Sequence, residues 1–362
     1  MFFGSFFFYS CLTSLPAHGS DTAALSSPAT TGSATILIYH RFGDERYPTT
    51  NVSVAQFREQ LTYLRANNYQ VLPLATLYQY LVEKRPLPDK AVVITIDDGY
   101  KSVYQNAWPL LKSFGYPFTI FLYVKATDHG HWDYMTWDQV RELRAAGVDF
   151  QSHSYGHHRF GNRPPEMDEE EYRGWIKADF VKSITIMERE LGRRPRFLAV
   201  PYGEYNRTVI DIARAVGFDA VFSQDPGSVS NQSDIYDLPR EPILGFDWST
   251  LDHFVEVLHR VDLPIDDLVP GIARLQNQTP PEFSARLLFP DRYQPGTLGI
   301  YVSELGWQQA ILEGDRVRIA NTKSLSRRLN RVAVSGREKT TGRTAIRFWL
   351  LVNENSLEKP TD

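Results

Sequence analysis

From Ala34 onward, short apolar runs rich in β-branched residues alternate with stretches whose apolar positions recur at helical spacing. Residues 34–39 (ATILIY) predict a buried strand, and residues 54–66 a helix with Phe57, Leu61 and Leu64 on one face. Residues 90–96 predict the next strand, followed by a helix through Tyr104, Trp108 and Leu111 that stops at Gly115. Further strands are predicted at 118–124, 148–151, 197–200 and 219–222, and helices at 136–146, 175–191 and 210–216, ended by Gly147, Gly192 and Gly217. Strands that alternate with helices pair in parallel through right-handed crossovers. Six or seven such units in about 230 residues predict an α/β fold, a distorted and not necessarily complete β/α barrel, over residues 34–262.

The rhythm changes near Pro264. Beyond it the helical spacing stops, and apolar runs at 285–289, 298–302, 316–319 and 345–352 alternate with Pro/Gly turns, which predicts a small all-β, sandwich-like module over 263–362. Between Glu313 and Arg347 this part holds ten Lys or Arg against three Asp or Glu, a local +7. Such a stretch is either a solvated face or a surface for an envelope or polymer carrying negative charge. At the other end, residues 1–20 are apolar and aromatic and then small and polar, the form of an export signal, and 21–33 read as a Ser/Thr/Ala-rich linker. Phe8-Tyr9-Ser10-Cys11 resembles a lipoprotein processing site, which makes Cys11 a candidate lipid anchor. These features predict an exported protein, periplasmic or associated with the cell envelope.

Composition narrows the chemistry. With 39 Lys and Arg against 43 Asp and Glu the net charge is −4, which gives no basic footprint for nucleic acid. A single cysteine excludes a disulfide framework and a cysteine-rich zinc site, so any metal must rest on His, Asp or Glu. Asp97 and Asp98 directly follow an apolar strand, at the end where sites assemble in parallel α/β folds. Adjacent carboxylates repel each other there, and a cation that binds one relieves the cost and leaves the other to titrate. Capping of the following helix is the alternative role of the pair. His153-Ser154-Tyr155-Gly156-His157 follows a second strand of the series, with two imidazoles at a spacing that suits one metal, and His158 competes as the second ligand. An Asp with two His and open positions is a ligand set suited to activating water.

Thr95-Ile96-Asp97-Asp98-Gly99-Tyr100 resembles the T-F-D-D-G motif of the polysaccharide deacetylases, the NodB-homology family, family four of the carbohydrate esterases. Ser152 to His157 is similar to the H-S/T-x-x-H motif of that family, and Pro201-Tyr202-Gly203 to its third motif. Tyr39-His40-Arg41-Phe42 and Met135-Thr136-Trp137 are similar to the subgroup that acts on poly-N-acetylglucosamine in biofilms. The resemblance implies metal-dependent N-deacetylation of an N-acetylated polysaccharide, with poly-β-1,6-N-acetylglucosamine favoured; an O-acetyl esterase and a non-catalytic glycan-binding protein are the alternatives. It assigns Asp97 as general base, Asp98, His153 and His157 as ligands of a divalent ion, and the Tyr202 backbone N–H to the oxyanion. Zinc is the first expectation for that ion, with cobalt, nickel or iron fitting the same donors. Position and resemblance together assign His40 as general acid, with His259, on a predicted helix, as rival. The arginine that usually precedes the third motif is missing, because Ala199-Val200 stand there, and Arg240 is the candidate replacement.

Overall fold

The computed structural model describes residues 32–275, 277–354 and 356. The signal-like segment, most of the linker and Cys11 lie outside the described residues. Six strands run parallel in one sheet: β1 (Ala34–Tyr39), β2 (Ala91–Asp98), β3 (Thr119–Leu122), β4 (Asp149–Ser152), β5 (Phe197–Ala199) and β6 (Ala220–Phe222). β7 (Ser228–Val229) runs antiparallel to the start of β1, and β8 (Glu241–Pro242) lies parallel beside it. Leu238 bridges to Phe222 of β6 just before β8 joins β1, so the segment 238–242 spans the gap between the two ends of the sheet. The expected distorted barrel is what the chain forms.

Local chemistry explains the helices around it. α1 (Val54–Ala66) begins at a reciprocal cap between Ser53 and Gln56 and buries Phe57, Leu61 and Leu64. α2 (Leu74–Val82), which the sequence pattern did not predict, follows Pro73 and buries Leu74, Leu77 and Leu81. α3 (Trp108–Phe114) ends at left-handed Gly115. α4 (Trp137–Ala145) starts at a Thr136–Gln139 cap. α5 (Glu169–Leu191) is capped by Asp168, with Glu169, Glu170 and Glu171 in its first turn, so it starts six residues before the expected 175. α6 (Arg207–Ala215) and α7 (Leu251–Leu258) complete the set. The strand expected over 118–124 ends at Leu122, because Val124–Asp128 turns into a short helix.

The C-terminal part is all β. One sheet holds β9 (Ile265–Val269), β10 (Glu282–Leu287), β13 (Ile311–Glu313) and β14 (Arg316–Ala320). The other holds β11 (Gly299–Val302), β12 (Gly306–Gln309), β15 (Leu329–Arg337) and β16 (Thr344–Val352), with Ala273–Arg274 along its edge. Phe283, Val317, Ile300, Val332 and Trp349, drawn from both sheets, share one core. Strands join this part to the barrel through bridges Gly227 to Arg347 and Val261 to Ala345. Its positive charge turns partly inward: Arg328, Arg331 and Arg347 pair with the buried barrel carboxylates Glu204, Asp225 and Asp237. The stretch is therefore neither wholly a solvated face nor wholly a docking face.

Candidate active site

β2 delivers the two carboxylates in different ways. Asp97 is the penultimate strand residue and is fully buried, whereas Asp98 has φ 71° and is followed by Gly99 at φ 79°. Asp tolerates the left-handed region better than most residues. At Gly99 a side chain would be strained by the left-handed backbone and would crowd the core, since a Cβ there would lie 2.5 Å from Leu122 Cδ1. This turn separates the fates of the two side chains. Asp97 meets the Arg240 guanidinium at two points, each 2.8 Å. Arg240 is itself oriented by the Ser223 carbonyl and by Thr95, the threonine of the Asp-Asp motif. Burial pushes the Asp97 carboxyl up, but Arg240, then His153 and His40, outweigh it and hold the group below its ordinary range.

Asp98 faces the histidine loop. Its Oδ1 lies 3.0 Å from Nε2 of His157 and 3.5 Å from Nε2 of His153. His153 Nδ1 lies 2.8 Å from the carbonyl oxygen of Ala199, which can only accept, so that nitrogen carries the proton and the lone pair is on Nε2. Burial lowers the His153 pKa to about 4, which keeps the ring neutral at ordinary pH. Asp98 Oδ1 and His153 Nε2 are thus two buried acceptors that face each other, and neither has an aligned hydrogen-bond donor among the described residues. A cation is what such a pair lacks. Ligand atoms of Asp98, His153 and His157 lie within 4.8 Å of one another, so the donor set fits a divalent metal. The Nδ1–H to carbonyl bond is the outer support that orients a metal-binding imidazole.

The loop that presents the histidines is held from below by α5. Asp179 accepts from the backbone N–H groups of Tyr155 at 2.8 Å and Gly156 at 2.7 Å. The sequence reading missed this residue. Its signal is a carboxylate on the buried stripe of α5, between Ile176 and Ser183. His158 leaves the cluster, with Nε2 3.8 Å from Asp179 Oδ2 and its ring against Trp175. Ser154, His157 and Tyr202 all have positive φ, which costs an L-residue energy and collects at functional sites.

Tyr202 packs its ring edge-on to His157, with centroids 4.6 Å apart, beneath the Arg159 guanidinium. The next residues tie this loop to the β part. Arg328 meets Glu204 at 2.6 and 2.8 Å, and Arg159 bonds the same carboxylate. Tyr205 donates to Asp225 and lies 2.9 Å from Asp237, the partners of Arg331 and Arg347.

His40 directly follows β1, whose Tyr39 pairs with Ile96, so it comes level with Asp97 at the sheet's rim. It is buried, close enough to act on both carboxylates, and its Nδ1 has no partner among the described residues. His259 lies elsewhere: it is the C-cap of α7 rather than a mid-helix residue, with Nδ1 2.7 Å from the Val255 carbonyl. The sequence also spells Leu251-Asp252-His253, but the charges that face His253 are Arg260 and Glu256, not the site carboxylates. Arg41, absent from the expected site, salt-bridges Asp133 at 2.5 Å and stacks on Tyr100, which braces the loop after the Asp pair.

Residues 84–221 match the polysaccharide deacetylase family. The chain is 29% identical over 233 residues to the poly-β-1,6-N-acetyl-D-glucosamine N-deacetylase of Escherichia coli (strain K12), covering 54% of this chain and 34% of that protein. It is 28% identical over 204 residues to the protein of the same name from Staphylococcus epidermidis, covering 55% and 70%. Among solved structures, IcaB from Ammonifex degensii superposes with a TM-score of 0.52 at 26% identity, covering 63% of this chain and 96% of that one. The chain thus spans about a third of the Escherichia coli relative and about seven tenths of the staphylococcal one.

Proposed function

Because this chain carries a polysaccharide deacetylase domain, we propose that it hydrolyses N-acetyl groups on poly-β-1,6-N-acetylglucosamine, in the maturation of a biofilm exopolysaccharide. Two observations support this polymer: relatives bear that activity in their names, and Tyr39-His40-Arg41-Phe42 resembles the same subgroup. One observation carries the reaction. An ionised Asp97, clamped by Arg240, stands beside three donors fit for one metal, and a protein that only bound glycan would have no use for that base.

A divalent ion held by Asp98, His153 and His157, for which we propose zinc, would lower the pKa of a water and polarise the acetyl carbonyl. Asp97 accepts a proton from the attacking water as its oxygen bonds the carbonyl carbon. The Tyr202 backbone N–H donates to the oxygen on which negative charge grows. His40, as general acid, gives a proton to the nitrogen as the C–N bond breaks, which yields acetate and a free amine. Asp97 then releases its proton and His40 takes one up through solvent, which resets both groups. We also propose export, on the signal-like form of residues 1–20, to the periplasm or cell envelope, with Cys11 a candidate for lipid attachment. Among the described residues no helix is long and apolar enough to cross a membrane.

Acetate release from β-1,6 and β-1,4 N-acetylglucosamine oligomers, with and without chelator, tests the reading. Release from the β-1,6 series that chelator abolishes is expected. Release only from an O-acetylated sugar would make the protein an esterase, and binding without release would leave a glycan-binding protein. His40→Ala should keep substrate binding while turnover falls by about 10²–10⁴-fold.

A further inference from the structure

The outer face of the second β sheet breaks the usual alternation. Ile300, Val302, Val332, Val334 and Trp349 point into the sandwich core, so Tyr301, Ala333 and Phe348 point the other way. Register makes them neighbours: Trp307 pairs with Tyr301, Tyr301 with Ala333, and Ala333 with Phe348. An aromatic row with one small residue in it therefore runs across four adjacent strands, on the face that the sheet turns toward the barrel.

That row is one wall of a groove of about 360 Å³, a size within the roughly 300–1,000 Å³ of small-ligand sites. Trp248 and Gln224 of the barrel form the facing wall, and Ser303 and Arg331 add polar atoms at the row's side. Packing between the two parts leaves the groove open. Trp307 is 53% exposed and Trp248 45%, although large aromatic surface is costly to leave in water. Gln224 links the groove to the catalytic loop, for a Cβ on Gly203 would stand 2.7 Å from Gln224 Cβ, and the residue before Gly203 is Tyr202, against His157.

We infer that this groove is a distal sugar subsite, which takes an N-acetylhexosamine of the same polymer some residues away from the one being deacetylated. Aromatic rings offer flat apolar faces to the C–H face of a pyranose, and the side-chain amide, hydroxyl and guanidinium bond its hydroxyl and acetamido groups. A chain that leaves the metal-capable cluster past Tyr202 meets Gln224 first and the aromatic row next. The β part thereby contributes to the choice of long substrates over short ones. This inference rests on the proposed polymer, and its test separates the two.

The full chain carrying Asp97→Asn is titrated, through tryptophan fluorescence, with a β-1,6-linked N-acetylglucosamine dimer and hexamer. The hexamer is expected to bind at least about tenfold tighter than the dimer. Adding Trp307→Ala should erase that advantage, while Trp307→Phe, which keeps a ring, should retain most of it. An advantage that survives Trp307→Ala in protein of unchanged melting temperature overturns the subsite, as does equal binding of dimer and hexamer before Trp307 is changed. Acetate release by the unmutated chain is measured in parallel; its absence, with Trp307-dependent length preference intact, would overturn the proposed reaction and leave the subsite standing.

Discussion

Arg240 and Asp97 meet in a two-point ion pair although 143 residues separate them, and neither side chain is exposed to solvent. The arginine missing before the third motif has its counterpart on the segment that spans the barrel's gap. Arg240→Lys keeps the charge but loses one of the two contacts, so turnover should fall by about 10–10³-fold with bound metal unchanged. Arg240→Met leaves a buried carboxylate unpaired and should also destabilise the fold by about 3–5 kcal/mol. Metal analysis, initial rates and denaturant titration read these effects. A fully active Arg240→Met variant would end the role given to the pair.

Asp97→Asn and Asp98→Asn should fail in different ways. The first removes the group that accepts a proton and should keep metal while turnover drops by about 10²–10⁴-fold. The second removes a ligand and should weaken metal binding as well. Metal content and rates measured on the same preparations separate them, and near-normal values in both variants would dissolve the site.

Histidine register gives a sharper contrast. His157 stands 3.0 Å from Asp98 Oδ1, whereas His158 faces Asp179. His157→Ala should empty the metal site and His158→Ala should leave it filled. Asp179→Ala, which frees the N–H groups of Tyr155 and Gly156, should lower metal affinity without touching a ligand. Isothermal titration with zinc reads all three.

Glu241, on β8, predicts a pH dependence of stability. Burial raises its pKa to about 7, against the opposing pull of Arg260, from an ordinary 4.5. The folded protein therefore holds a proton that the unfolded chain releases. This contribution is complete below about pH 4.5, is lost as pH rises to about 7 and is absent above, with about 3 kcal/mol as its upper bound. Glu241→Gln should flatten the stability profile in that window. Denaturant midpoints of both proteins from pH 4.5 to 8 check it, and parallel profiles would count against it.

Arg328 carries a prediction about the β part. Arg328→Met should cost about 2–3 kcal/mol and reduce turnover, since it removes a two-point contact from Glu204, which sits two residues after Tyr202. Arg328→Lys should restore part of both. A chain ending at Leu263 removes Arg328, Arg331 and Arg347, the arginines that pair with Glu204, Asp225 and Asp237, so it should lose cooperative unfolding. Thermal melts and rates on short oligomers decide the matter, and a stable, fully active truncation would show that the arginines are dispensable.

The barrel strands and the grouping of Asp98, His153 and His157 could be read before any coordinates, because each depends on local pattern. α1 fits its expected span to the residue, since its cap and apolar face coincide. β15 escaped notice because Asn330, Arg331, Ser335 and Arg337 interrupt its apolar positions, and Arg331 reaches Asp225 of the barrel rather than water. Asp179 and Arg328 escaped for a related reason: each acts on a loop far along the chain, and nothing in its own neighbours marks the target. The Arg240 charge was visible as a candidate, but its two contacts with Asp97 depend on how the sheet's ends come together. Positive φ at Ser154, His157 and Tyr202 left no mark, since none is glycine or asparagine.

The segment 238–242 does two jobs at once, and this ties the order of folding to the onset of chemistry. Until Leu238 and β8 span the gap between β6 and β1, Asp97 sits in an apolar strand without its counter-ion, and ionising it is unfavourable. A nascent or partly folded chain that has laid down only the first six strands thus holds a muted base and an unfinished wall. Joining the last segment completes the wall and charges the base in a single cooperative step, so a half-built molecule has little means of acting on polymer before it is whole.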